Sequence, residues 1–300
     1  MNASVKSWFL AARPKTLTAA VVPVLVGMSL GASLSGTPLK WWLAACAIAS
    51  SIFIQISTNL VNDALDFKKG TDTEKRLGPV RVSASGLIKP EKVLWGAYAA
   101  MAMAALLGIP LVKEGGAVIV WVGIFSLIAA YVYTGGPYPL AYNGLGDFFV
   151  VIFFGFVAVG GSYFLQTHSF SMDAFVAGLQ VGALATVLIA INNLRDVDED
   201  SKNNKKTLAV RFGEVFVKRE ILFLHFLALV GLGWWCAKGF RFWWLPLLVL
   251  PLMSRLTSRL KKTAPSKKYN EFLAQAAAVH LLFGILLMIA FQLGLSPAGV

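Results

Sequence analysis

The chain alternates long apolar stretches with short charged ones, and the apolar stretches are too long for strands. Nine of them read as membrane helices: 17–36, 41–62, 92–112, 116–134, 145–166, 173–194, 217–237, 241–256 and 272–294. Most approach the roughly 20 apolar residues that a helix needs to cross hydrocarbon. The eighth is short and interrupted by Pro246 and Pro251. Residues 135–147, punctuated by paired Gly and Pro, read as a loop. The first stretch reads as a retained helix, because no clear Ala-x-Ala cleavage site follows it. The pattern predicts an all-α polytopic membrane protein with nine transmembrane helices, the 300 residues forming a single domain.

Composition agrees. Hydrophobic residues make up 57% of the chain, charged residues 14%, and mean hydropathy is +0.69. A soluble domain carries about 25% charged residues, so a cytosolic enzyme, a disordered chain and a disulfide-stapled domain are excluded. The two cysteines, Cys46 and Cys236, stand in apolar runs and are expected as small buried hydrophobes. The Trp pairs 41–42, 234–235 and 243–244 sit at span ends and read as interfacial anchors. His168, His225 and His280 are scattered and form no metal-binding set.

Charge gives the orientation. With the N-terminus on side one, side two carries only Lys40, Lys113, Lys238 and Arg241, and side one the other 23 of the 27 basic residues. Such a split puts the N-terminus and the basic loops in the cytoplasm and the C-terminus outside. It also accounts for the net charge of +12. Nucleic acid would call for a basic surface with few acids, so no nucleic-acid partner is expected.

Of the 15 acidic residues, all but Glu114 and Asp173 fall on side one. Orientation does not demand this, since acids contribute little to topology. Two tight clusters stand out: Asp63, Asp66 and Asp72 after the second span, and Asp196, Asp198, Glu199 and Asp200 after the sixth. Asn62 and Asp66 are four residues apart and share a helix face, and Asn192, Asp196 and Asp200 repeat the spacing. The two runs form a weak parallel repeat of four-helix units, and such repeats put a shared site at their interface. From Trp41 to Asp66 a helix would run about 39 Å at about 1.5 Å per residue, against a hydrocarbon core of about 30 Å. The ladders therefore belong at the membrane edge or in a polar cavity opening there. Crowded carboxylates need positive charge. Mg²⁺ suits them, because it is held by one or two carboxylates while phosphate oxygens and water complete its shell. Lys68, Lys69, Arg76 and Arg81 follow the first ladder, and Lys202, Lys205, Lys206 and Arg211 the second. Acids and bases together read as a metal–diphosphate site. A secondary transporter with carboxylate cation sites is the alternative of another class, but its sites would lie near the bilayer midplane.

These motifs resemble those of the UbiA superfamily of intramembrane aromatic prenyltransferases, whose nine transmembrane helices surround a central cavity. The first motif, Asn-Asp-x-x-Asp with a further Asp downstream, matches Asn62, Asp63, Asp66 and Asp72, the last two residues later than is common. The second, Asp-x-x-x-Asp, matches Asp196 and Asp200. Arg13-Pro-Lys-Thr-Leu17, Arg76-Leu-Gly-Pro-Val-Arg81, Tyr133-Thr-Gly-Gly-Pro137 and Asn192-Asn-Leu-Arg-Asp196 resemble the branch acting on 1,4-dihydroxy-2-naphthoate in menaquinone synthesis. The resemblance implies transfer of a polyprenyl group from a polyprenyl diphosphate to the naphthoate, with decarboxylation, giving demethylmenaquinone. Another aromatic acceptor, 4-hydroxybenzoate or homogentisate, is the alternative. It further implies Mg²⁺ as cofactor and Asn62, Asp66, Asp72, Asp196 and Asp200 as its ligands. Asp66, Asp196 and Asp63 would be catalytic. Lys68, Arg76, Arg81, Lys205, Arg211 and Asn192 would hold the diphosphate, and Arg13 and Lys15 would meet the acceptor carboxylate. Asp198 and Glu199 turn off the ladder and are expected to be solvated. Membrane lipid is the remaining partner.

Overall fold

The computed structural model describes residues 3–72 and 77–294, and no strand occurs among them. The helices are α1 (Ala3–Ala12), α2 (Thr18–Ser35), α3 (Trp41–Lys68), α4 (Pro90–Val132), α5 (Gly146–Thr167), α6 (Met172–Arg195), α7 (Val197–Lys202), α8 (Leu208–Ala237), α9 (Leu250–Lys262) and α10 (Tyr269–Gly294). Among the described residues six helices, α2 to α6 and α10, are long and apolar enough to cross a membrane.

Two expected spans, 92–112 and 116–134, lie in α4. Its 43 residues would reach about 65 Å if straight, twice the hydrocarbon thickness of about 30 Å. Instead it breaks at Gly116 (φ 58°, ψ −146°), a conformation that a Cβ forbids. The two limbs run back along each other. Glu91 pairs with Lys68 at the C-terminal end of α3 (3.4 Å), and Glu114 with Lys40 at its start (2.6 Å). The Thr134 carbonyl then returns to accept from Lys69 Nζ at 2.7 Å.

The span expected at 217–237 lies within α8, which is broken at Gly213 and carries Lys218, Arg219 and Glu220. The span expected at 241–256 does not form one helix. Residues Leu245–Val249 make a 3₁₀ turn, and α9 is amphipathic, burying Met253, Leu256 and Leu260 while Arg255 and Lys261 stay outside. Pro246 and Pro251 both stand in the first turns of their short helices, where proline is tolerated.

Three smaller expectations are corrected. Trp235 is no interfacial anchor: it is 1% exposed and donates to Gln180 Oε1 at 2.7 Å. Trp234 donates to Asp173 at 2.7 Å. The Gln180 acceptor on α6 draws the Trp235 indole inward, while Trp234 stays half-buried at the helix end beside Lys238. Cys46 is only half-buried, at the edge of a core cluster with Leu43 and Ala47, and Cys236 is exposed on an apolar helix.

In lipid there is no hydrophobic gain between helices, so close packing and cross-helix hydrogen bonds must hold them. Gln180 Nε2 donates to the Ala228 carbonyl (2.7 Å) while its oxygen takes the Trp235 proton, tying α6 to α8. Small residues let α5 and α6 touch. A Cβ at Gly155, in the π-helical stretch Val151–Val157 of α5, would sit 2.5 Å from the Gly178 carbonyl oxygen. One at Gly182 would sit 2.9 Å from the Gly155 Cα. Gly182→Val forces these backbones apart, and overpacking of this kind costs about 1–3 kcal/mol. A thermal melt in detergent should fall by several degrees; an unchanged melt would show that α5 and α6 can separate freely.

Candidate active site

The ladder predicted at the end of α3 is present and ends in a knot of ionic contacts. Asn62, Asp66 and Asp72 converge on Arg81, which is 5% exposed. Arg81 Nη2 donates to Asn62 Oδ1 (2.9 Å) and lies 3.7 Å from Asp66 Oδ2, and its Nε is 2.9 Å from Asp72 Oδ2. Asp63, one residue off the ladder, faces elsewhere. Its two oxygens accept from the backbone N–H groups of Val82 and Ser83 (3.0 and 2.9 Å). It thereby clamps the loop that delivers Arg81.

The second ladder ends α6 and continues through α7. Arg195, 2% exposed, grips Asp196 with both nitrogens of its fork, Nε to Oδ1 and Nη2 to Oδ2, each at 2.7 Å. The same guanidinium donates to Asn192 Oδ1 (2.6 Å) and Asn270 Oδ1 (2.8 Å). Asn270 in turn donates to the Leu77 carbonyl at 2.9 Å, linking α10 to the loop after the first motif. Asp200 is buried, with Lys205 Nζ 3.3 Å from its Oδ1 and with Oδ2 lacking any hydrogen-bond partner. Burial pushes the Asp200 carboxyl up to about 6; Lys205 opposes this, and Asp196 and Asp66 add to it.

Tyr142 joins the two motifs. Its hydroxyl donates to Asp66 Oδ1 (2.8 Å) and meets Thr71 Oγ1 (2.7 Å), while Lys69 and Lys205 lie over its ring at 4.2 and 5.7 Å. Burial and the Asp66 charge both raise its pKa, keeping the proton on the phenol. The loop carrying Tyr142 is fastened by Arg211, which donates to the carbonyls of Lys206 (3.1 Å) and Asn143 (2.9 Å).

The structure thus brings together Asn62, Asp66, Asp72 and Arg81, and likewise Asn192, Asp196, Asp200 and Lys205. It does not bring Lys68 in, because that side chain turns to Glu91 at the start of α4. Arg211 is exposed and fastens a loop. Asp198 is exposed as expected, but Glu199 is half-buried. Arg76 and the Lys15 side chain lie outside the described residues. Tyr142, Arg195 and Asn270 were not among the expected site residues. Arg195 had a signal in sequence, being the one basic residue inside a ladder; Tyr142 and Asn270 had none, since a Gly/Pro-rich loop and the start of an apolar helix do not announce a partner.

A cavity of about 870 Å³ opens from this cluster into the apolar interior. Asn62, Arg81, Asn192, Arg195 and Asn270 line its polar end. On α3 the lining continues to Ala47, about 22 Å further at the helical rise. Arg13 and Thr16 line it beside Asn59, whose Nδ2 donates to the Ala12 carbonyl (3.0 Å) and to Thr16 Oγ1 (3.2 Å). Elsewhere the walls are aliphatic and aromatic, including Phe149, Phe153 and Phe154.

Among the described residues no three His, Cys, Asp or Glu side chains gather closely enough to enclose a metal ion. Each motif instead offers two carboxylates and an Asn amide, all hard oxygen donors, and Asp200 Oδ2 is a buried oxygen awaiting a partner. That donor set fits a small divalent ion whose shell is completed by phosphate oxygens and water.

Residues 20–282 match the model of the UbiA prenyltransferase family. Among curated proteins, the chain is 33% identical to a 1,4-dihydroxy-2-naphthoate octaprenyltransferase of Haemophilus influenzae, over 98% of both chains. Among solved structures it resembles a UbiA homolog from Aeropyrum pernix K1 (TM-score 0.69, 16% identity, 90% of this chain and 97% of that one). It also resembles a UbiA homolog from Archaeoglobus fulgidus bound to DMAPP and Mg²⁺ (TM-score 0.61, 15% identity, 94% and 99%).

Proposed function

The chain belongs to the UbiA prenyltransferase family, and from that premise we propose that it transfers a polyprenyl group from a polyprenyl diphosphate to 1,4-dihydroxy-2-naphthoate. The observation that carries the reading is two Asn/Asp ladders meeting, with Arg81 and Arg195, at the polar end of a long apolar cavity. A polar head with an apolar tail matches such a cavity at both ends.

The donor diphosphate lies between the motifs, where Arg81, Arg195, Lys205 and Lys69 face its oxygens. Arg binds phosphate through a planar fork and Lys as a point charge. Asn62, Asp66, Asp72, Asn192, Asp196 and Asp200 would hold Mg²⁺, which when bound would supply positive charge for the departing diphosphate. The Tyr142 hydroxyl orients Asp66 and keeps its proton. Asp63 acts through the loop it clamps, and Arg211 through the loop of Tyr142, so both are positioning residues. The allylic C–O bond breaks, the electron pair leaves with the diphosphate, and the apolar walls keep water from the cation. The aromatic faces of Phe149 and Phe153 favour that charge. The naphthoate ring attacks through the carbon bearing its carboxylate, and carbon dioxide departs. The product is the prenylated diol, the reduced form of demethylmenaquinone. Arg13, at the wall one turn below Asn62, is positioned to receive the acceptor carboxylate.

The protein is an integral membrane enzyme. Nine membrane crossings, counting both limbs of α4, α8 and the stretch 241–262 that ends in α9, form a single domain around the cavity. The basic loops face the cytoplasm, and so does the N-terminus; the C-terminus is outside.

The test uses membranes holding the purified protein, farnesyl diphosphate and Mg²⁺, with 1,4-dihydroxy-2-naphthoate or 4-hydroxybenzoate in parallel. Product forms with the naphthoate and disappears on adding EDTA, returning with Mg²⁺. Product with the benzoate alone would overturn the acceptor, and EDTA-resistant product would overturn the metal.

A further inference from the structure

Three glycines line the cavity: Gly108 and Gly123 on the two limbs of α4, and Gly161 on α5. Each lies mid-stripe on the face its helix turns to the lumen. Ala104 and Leu111 flank Gly108, Ile119 and Leu127 flank Gly123, and Ala158 and Leu165 flank Gly161, all of them lining residues one helical turn away. None of the three has positive φ, so the backbone does not call for glycine. Packing does not call for it either. A Cβ on Gly108 or Gly123 would meet nothing within 4 Å, and one on Gly161 only the Val122 methyls at 3.6 and 4.0 Å. This contrasts with Gly155 and Gly182, where a Cβ would strike a neighbouring backbone. Glycine in a helix interior is less stable than alanine, and neither backbone nor packing explains these three. What they provide is lumen width.

They share a depth. Ser50 Oγ donates to the Ala104 carbonyl at 2.9 Å, so Ala104 is level with Ser50, about 18 Å along α3 from Asn62. Gly108 is a further turn down, about 24 Å from the diphosphate end. Gly123 is seven residues beyond the Gly116 break and Gly108 eight before it, so on the two antiparallel limbs they lie at one depth, and Gly161 is level with them beside Val122. An extended isoprene unit spans about 5 Å, four carbon–carbon bonds of about 1.5 Å in zigzag. All three glycines therefore face the fifth unit of a bound tail.

We propose that Gly108, Gly123 and Gly161 together set the length of prenyl tail the enzyme accepts, by leaving room in the lumen for the fifth isoprene unit and those beyond it. The proposal rests on the prenyl-transfer reading above and specifies its donor.

Gly161→Leu and Gly108→Leu are assayed with donors of two, four and eight isoprene units. Gly161→Leu keeps the two- and four-unit donors within about twofold of wild type and loses the eight-unit donor by about tenfold or more in kcat/KM, the scale of an overpacking penalty. Gly108→Leu keeps the two- and four-unit donors and loses the eight-unit one to the same extent. Unchanged transfer from the eight-unit donor in both variants would overturn the proposal, and so would an equal loss with all three donors. Binding of the same three diphosphates, measured by calorimetry without acceptor, reads the length dependence separately. If wild type transfers nothing to the naphthoate, the function above fails, while binding still decides whether the glycines sense length. Should a Leu variant not accumulate, Gly161→Ala and Gly108→Met supply the same comparison.

Discussion

Asp66→Ala and Asp196→Ala each lower prenyl transfer by about three orders of magnitude, the effect of removing one group that stabilises a transition-state charge. Both carboxylates are buried, 1% and 6% exposed, against Arg81 and Arg195, which line the polar end of the cavity, and low dielectric there strengthens every charge–charge interaction. The two variants separate in stability. Asp66→Ala releases a tyrosine hydroxyl, which retains Thr71 as a partner. Asp196→Ala takes away both acceptors of the Arg195 fork and leaves a buried cation, so its melting temperature falls as well. The double variant is no slower than either single one, because groups serving one charge act as a unit. Rates in membranes, normalised to protein, and melts in detergent measure both. Near-normal transfer by either single variant would remove that residue from the site.

Arg195→Lys preserves the charge and still fails. The Arg195 guanidinium makes hydrogen bonds to Asp196, Asn192 and Asn270 at once, in a plane that an ammonium cannot reproduce. Breaking a buried pair costs about 3–5 kcal/mol, and the Lys variant should lose the lower part of that range. Transfer should fall about a hundredfold, since Asn192 and Asp196 lose their common anchor. A role in charge alone predicts recovery by lysine, so wild-type stability and rate in Arg195→Lys would refute the geometric account. Asn270→Ala provides a milder companion, since it removes one of the guanidinium's partners and the link to Leu77.

The ladders were legible because their spacing is local. Asn62 and Asp66, or Asn192, Asp196 and Asp200, share a face wherever a helix forms, and the apolar runs before them ensure that it does. Helix class, the apolar segments and the gathering of acids at two helix ends follow from near neighbours alone. Even here local reading had a limit: Asp63 looked like part of the motif, yet its oxygens were claimed by Val82 and Ser83, on a loop whose return path no spacing reports. Lys68 followed the ladder in sequence and left it in space, because Glu91 at the start of α4 lay within reach.

Residue order determined that this chain is an α-helical membrane protein with two oxygen-rich helix ends and a basic surround, since hydropathy and i, i+4 spacing are properties of short segments. The tertiary structure decided which charges meet. Tyr142 reaches Asp66 from a Gly/Pro loop, Asn270 reaches Arg195 from the last helix, and α4 turns back at Gly116 so that Lys69 meets Thr134. These contacts join residues far apart in the chain. Their partners are selected by helix packing and by the cost of leaving a buried polar group unpaired, and neither is written in any one segment.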